Sequence, residues 1–149
     1  MFSDDFDRAL AAFVIANGAV SAGKKVTMFF TFWGLNILKK SRKPKVKKDF
    51  MGKMFGMMLP GNTRGLKLSK LNMAGMGPVM MRKRMASLKI DSLEGMIGSA
   101  VAGGVELVAC QMSMDVMGVK REEIIDEAKI GGVATYLSEA EKGGVNLFI

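Results

Sequence analysis

The chain has no histidine, which removes the commonest general base and the commonest metal ligand. It has one cysteine, Cys110, so no internal disulfide can form, and zinc sites, iron–sulfur clusters and Cys-His catalytic pairs all lack their residues. No metal and no cofactor are expected. The start, Met1-Phe2-Ser3-Asp4-Asp5, lacks the basic-then-apolar pattern of a secretory signal, and with a lone thiol it points to a reducing, cytoplasmic setting. Long apolar runs are missing as well. The longest uncharged stretch, 9–23, has fifteen residues and contains Asn17, Gly18, Ser21 and Gly23. That falls short of the ~20 apolar residues of a membrane span.

Negative charge is scarce in one region only. Between Lys39 and Arg84 there are fourteen Lys or Arg and a single acidic residue, Asp49, whereas the remainder has eight basic and thirteen acidic residues. The net charge of +8 is therefore local. A chain of 149 residues, 49% hydrophobic, suits one domain with one core. We read 1–149 as that domain, with a basic, methionine-rich insertion at about 39–88.

What is present alternates between strand-like and helix-like patterns. Residues 4–21 read as an amphipathic helix capped by Asp4 or Asp5, with Phe6, Leu10, Phe13 and Val14 recurring near helical spacing. Only Met1 and Phe2 precede it, a stub where a full strand is expected. Residues 25–32 read as a strand buried on both faces, turned by Trp33-Gly34-Leu35 into a short helix. Residues 92–103 form a helix with Ser92 as N-cap and Gly103-Gly104 as its stop. A buried strand follows at 105–109, then short helices at 112–117 and 120–127, a strand at 128–131, a helix at 134–142 and a last strand at 145–149. Strand–helix alternation implies an α/β three-layer sandwich with a five-stranded, mainly parallel sheet.

Within the basic region, Lys39, Lys40, Arg42, Lys43, Lys45, Lys47 and Lys48 place seven positive charges in ten residues, and Pro44 forbids a regular helix through them. The expectation is a solvated, mobile loop. It serves either as plain soluble surface or as a landing site for a polyanion such as coenzyme A, anionic lipid, an acidic partner or nucleic acid. Nucleic acid is the weaker partner, since no aromatics are interleaved with the charges. Helices are expected at 50–59 and 78–88. Between Met51 and Met85 lie nine of the fifteen methionines, with Met51, Met54, Phe55 and Met58 on one helical face and Met73, Met76 and Met80 approximately on another. Such faces are read as packing against the sheet or a neighbouring subunit, as an adaptable partner surface, or as interfacial membrane contact.

Cys110 stands where the run at 105–109 gives way to a helix-like pattern. A thiol there sits at a strand's carboxyl end, facing backbone N–H groups that favour thiolate over thiol. An inert, buried cysteine is the other reading of the same position. In sheets of this type ligands gather at the carboxyl ends of the strands. Ser3 and Asp4, 32–34, 110–112 and 132–135 should therefore be neighbours.

Three separated motifs carry a resemblance: Thr27-Met28-Phe29-Phe30-Thr31-Phe32-Trp33-Gly34-Leu35, Cys110-Gln111-Met112-Ser113-Met114-Asp115-Val116-Met117-Gly118, and Gly131-Gly132-Val133-Ala134-Thr135-Tyr136-Leu137. In that order they resemble the DsrE/DsrF-like family, in its longer, methionine-rich branch, over nearly the whole chain. The resemblance implies the DsrEFH-like fold, the handling of sulfane sulfur, and Cys110 as a sulfurtransferase-like persulfide carrier. Donor and acceptor proteins or small thiols are then its partners, and a homo-oligomer is expected. Around Cys110 the candidate pocket comprises Gln111, Met112 and Ser113, an apolar wall of Phe32 and Trp33 with Gly34, and Gly132 with Thr135. Gln111 and Ser113 would donate hydrogen bonds to the outer sulfur. The rival reading is a non-catalytic binding or scaffold module that docks through the basic, methionine-rich segment. A thiol peroxidase lacks a resolving cysteine, and an FMN site lacks a phosphate cradle, since the first loop is acidic.

Overall fold

The computed structural model describes residues 1–42, 44, 46–48 and 50–149, with only the backbone of Met51. Lys43, Lys45 and Asp49 lie outside the described residues, as does the side chain of Met51 in the methionine face expected for its helix.

Three parallel strands form the sheet in the order β1 (Thr27–Phe30), β2 (Glu106–Cys110), β3 (Lys129–Gly131). Helix α1 (Phe6–Ser21) buries Phe6, Ala9, Phe13 and Ala16, a single stripe at spacings of three and four, and packs on α4 (Leu93–Ala102). Ser92 caps α4 by accepting the Gly95 N–H at 3.1 Å, as its sequence position predicts. Phe13 stacks on Phe30 at 6.3 Å, so α1 covers one face of β1. Phe29, pointing the opposite way, meets Tyr136 of α6 (Val133–Lys142) at 5.4 Å. Helices thus lie on both faces. Full burial of an aromatic such as Phe6, Phe13 or Phe30 contributes roughly 1.5–3 kcal/mol each.

Among the described residues the sheet has three strands rather than the expected five. Met1 and Phe2 do lie beside β1: the Met1 amino group donates to the Phe29 carbonyl at 2.8 Å, and the Thr31 N–H donates to the Met1 carbonyl at 3.1 Å. On their other side, the Phe2 N–H donates to the Ile149 carbonyl at 2.5 Å. A single residue's bonds on each side make no ladder, so neither the stub nor 145–149 becomes a strand. β1 is also less covered than expected, with only Phe30 buried. The helix expected at 120–127 is one 3-10 turn, Arg121–Glu123. Its carbonyls are diverted, because the Arg121 guanidinium donates to those of Ile124, Ile125, Asp126 and Ala128.

The segment between β1 and α4 holds α2 (Phe50–Met58) and α3 (Met76–Ser87). It is stitched to the core: Leu66 and Met85 are buried in the main cluster, and the Arg82 guanidinium lies 4.0 Å over the Phe6 ring. Its methionines mostly face outward. Met54, Met57 and Met58 of α2, and Met73, Met76 and Met80, are all exposed, so they do not pack against this chain's own sheet. Among the described residues no helix is long and apolar enough to cross a membrane.

Candidate functional site

The parallel register brings three chain segments to one row at the carboxyl edge of the sheet. Phe30 pairs with Ala109, and Cys110 pairs with Gly131, so Thr31, Cys110 and Gly131 lie side by side. Cys110 ends β2 and is at once the N-cap residue of α5 (Gln111–Met117), in the extended conformation the position requires. That junction is where the apolar run and the helix-like pattern meet in the sequence.

Thr31, not singled out from the sequence, ties the row together. Its hydroxyl is 2.7 Å from that of Ser113, which is fully buried one turn into α5. Ser113 is thereby committed to Thr31 rather than aimed at a sulfur atom. The Gln111 amide likewise donates outward, to Asp115 at 3.0 Å, so neither expected donor addresses Cys110. The signal for Thr31 was a polar residue closing an apolar strand. Phe32, the next residue, has φ 47°, a left-handed conformation that disfavours a side chain by roughly 1–2 kcal/mol. Phe32 is half-buried against Phe2 at 5.9 Å, whereas Trp33 and Met112 are largely exposed. Gly34 is buried, donates to the Phe2 carbonyl at 2.8 Å, and has no room for a side chain against the Met1 carbonyl.

On the other side of Cys110, Gly131 is required by packing. A side-chain carbon there would lie 2.8 Å from Val108 and 3.2 Å from the Thr135 hydroxyl. Gly132 is the N-cap residue of α6 with open space beside it, and Thr135 is exposed. Cys110 itself is only 4% exposed. Neither the cavity beside α2 nor that at the start of α3 is lined by it. The thiol is therefore at the expected edge, but covered.

The first loop joins the same edge through a polar contact within an apolar run. Asn36, fully buried between Leu35 and Ile37, donates to Asp4 at 2.8 Å, and its own side-chain oxygen has no partner among the described residues. Burial raises the Asp4 pKa, and repulsion from Asp5 adds to it, while the Asn36 bond and Lys39 pull the other way. A carboxylate with a raised folded pKa holds its proton more tightly when folded. Its unfavourable contribution is thus present at neutral pH and is relieved as pH falls through the raised value toward the ordinary carboxylate range. Asp4→Asn is expected to raise the urea midpoint at pH 7 and to flatten its dependence on pH in the weakly acidic range, as equilibrium unfolding would measure.

The basic residues divide into two groups. Arg42 and Lys47 are exposed, as a solvated segment requires, but Lys39 is 8% exposed and donates to the Pro60 carbonyl at 3.3 Å. Lys48, with 10% of its side chain exposed, pairs with Glu123 at 2.6 Å, and Lys40 pairs with Asp126 at 2.8 Å. The segment is therefore not wholly solvated. Backbone bonds fix its start, since Lys39 bridges antiparallel to Ile124 and the Lys40 N–H donates to the Glu123 carbonyl at 2.8 Å.

Residues 1–148 match the family model described as the DsrE/DsrF/DrsH-like family. The chain belongs to this family. DsrE-like relatives include the Uncharacterized protein YrkE of Bacillus subtilis (strain 168), 48% identical over 149 residues, covering all of this chain and 93% of that protein. The Sulfur carrier protein DsrE2 of Allochromatium vinosum is 33% identical over 147 residues, covering 96% of this chain and 91% of its own length. The α/β fold with a parallel sheet and the DsrE-like assignment thus agree with what the three motifs imply.

Proposed function

We propose that this protein is a sulfur-relay carrier that holds sulfane sulfur as a persulfide on Cys110 and passes it to an acceptor thiol. The observation that carries the reading is the position of Cys110 at the β2–α5 junction, in one row with Thr31 and Gly131, in a chain similar to a protein named as a sulfur carrier. In the first step the Cys110 thiolate attacks the outer sulfur of a donor persulfide. The donor's S–S bond breaks, its thiolate leaves, and a new S–S bond forms on Cys110. An acceptor thiolate then attacks that outer sulfur and releases the Cys110 thiolate. No external oxidant or reductant is consumed, and no histidine is required.

Because Cys110 is covered, each transfer includes an opening step. The turn at Thr31 and Phe32 is the element to move: one hydroxyl–hydroxyl bond holds it to α5, and the left-handed Phe32 relaxes when it is released. Intact mass after incubation with a sulfane donor tests the reading. Absence of a one-sulfur increment that depends on Cys110 removes it.

The reading includes thiol or protein partners in a cytoplasmic setting, and self-association. Val133, Leu137, Val145, Leu147 and Phe148 are exposed on α6 and the adjoining tail, apolar side chains that association would cover. Light scattering is expected to give a multiple of 16.1 kDa, and Leu137→Glu with Phe148→Glu to shift it toward the single-chain mass.

The covered thiol favours a second reading, a non-catalytic module docking through the basic segment. Alkylation separates the two. A thiol that labels in the native state at pH 7, at a rate far above that of global unfolding, supports the carrier, and labelling limited by unfolding supports the module.

A further inference from the structure

We propose that the cavity between α2 and the described residues Lys39, Lys40, Pro44, Val46 and Lys48 is a binding site for a small molecule carrying two or more phosphate groups. The cavity has a volume of about 450 Å3, within the ~300–1,000 Å3 usual for small-ligand sites. Lys39, Lys40, Lys48 and Lys53 line it, and Glu123 is the only carboxylate in its wall among the described residues. Three of these four ammonium groups belong to the 39–48 run, and the fold adds Lys53 of α2 to the same wall.

Their partners leave capacity for an anion. Lys48 is matched to Glu123. Lys40 is paired with Asp126, whose side chain is 83% exposed, and exposed pairs of this kind contribute only about 0–1 kcal/mol, so a ligand oxygen can replace the carboxylate. Lys53, exposed in the first turn of α2, has no ion pair among the described residues and lies where the helix dipole is positive. Like charges gathered in a concave, partly enclosed space focus positive potential there.

The chemistry of the lining selects the ligand class. Lysines act as point charges suited to phosphate oxygens spread over several positions, whereas planar carboxylates are better matched by arginine, and among the described residues no arginine lines the cavity. No aromatic among the described residues lines it either, so a nucleobase would find no stacking platform and the phosphates carry recognition. The Lys48 ammonium lies 3.5 Å from where a Gly56 side chain would begin, so α2 borders the charge directly.

This site is distinct from Cys110. Gly52 of α2 abuts Gly118, which ends α5, while Cys110 begins that helix. Eight residues at ~1.5 Å each separate the two by about 12 Å. Binding is therefore independent of the sulfur chemistry.

Titration calorimetry of the full chain with pyrophosphate is the test. Saturable binding is expected, weakened at least tenfold in the double variant Lys40→Gln with Lys53→Gln and unchanged in Cys110→Ser and in Lys89→Gln, which lies outside the cavity. Circular dichroism confirms that each variant is folded. Absence of saturable binding, sulfate binding as tightly as pyrophosphate, a double variant that binds like the parent, or binding confined to phosphatidylglycerol vesicles would each overturn the proposal.

Discussion

Incubated with a low-molecular-weight persulfide, the protein is expected to gain one sulfur atom, and the Cys110→Ser protein none. Loading is slow compared with a small peptide thiol, because only the opened fraction of molecules reacts. Thr31→Val accelerates it. That change removes the partner of the Ser113 hydroxyl in the closed state, where an unpartnered buried hydroxyl is unfavourable by about 1–3 kcal/mol, while the strand-end backbone keeps a β-branched residue. If opening precedes reaction, one or two kcal/mol in the closed state translates to roughly a 5–30-fold faster increment. Time-resolved intact mass reads both effects. An increment surviving in Cys110→Ser ends the carrier reading, and a rate unmoved by Thr31→Val shows that the thiol is reached from another side.

The second large effect is on stability. Gly118→Ala is expected to lower it by about 3 kcal/mol. Gly118 ends α5 with φ 61°, a conformation that favours glycine, and a side-chain carbon there would lie 2.5 Å from the Gly52 Cα. The obstacle is backbone, not the tip of a flexible side chain, so α2 as a whole must shift. Equilibrium urea unfolding measures the loss. Because Gly52 and Lys53 also line the lysine cavity, pyrophosphate affinity should fall together with stability, whereas Gly104→Ala, at φ 88° in open space, should cost only about 1–2 kcal/mol and leave affinity intact.

Where local chemistry decides an element, the sequence was sufficient. The Ser92 cap, Phe6 and Phe13 of the α1 stripe, and the β2–α5 junction at Cys110 all read correctly, because each depends on residues within a turn or two, whereas Val14, expected on the same face, is exposed. Where a distant group decides, the sequence was silent. The 120–127 pattern is compatible with a helix, but Arg121 diverts the carbonyls a helix would use. The apolar 145–149 segment looks like a strand, yet its neighbours Met1 and Phe2 offer too few groups for a ladder. At the site, the row of strand ends was legible from topology. The covering of Cys110 and the commitment of Ser113 to Thr31 were not, since both arise from packing between segments about eighty residues apart. Lys39 shows the same limit: a lysine in a charge run reads as surface, but the backbone bridge to Ile124 and the Pro60 carbonyl hold it inward.

The brevity of β3 has a consequence for how copies of this chain can meet. As the outer member of the sheet it exposes the unpaired side of only three residues, one of them Lys129, whose ammonium pairs with Glu106 on the neighbouring strand. A sheet margin so short and charged is a poor template for strand addition from another molecule. Growth of the sheet from one molecule into the next is therefore disfavoured at this margin.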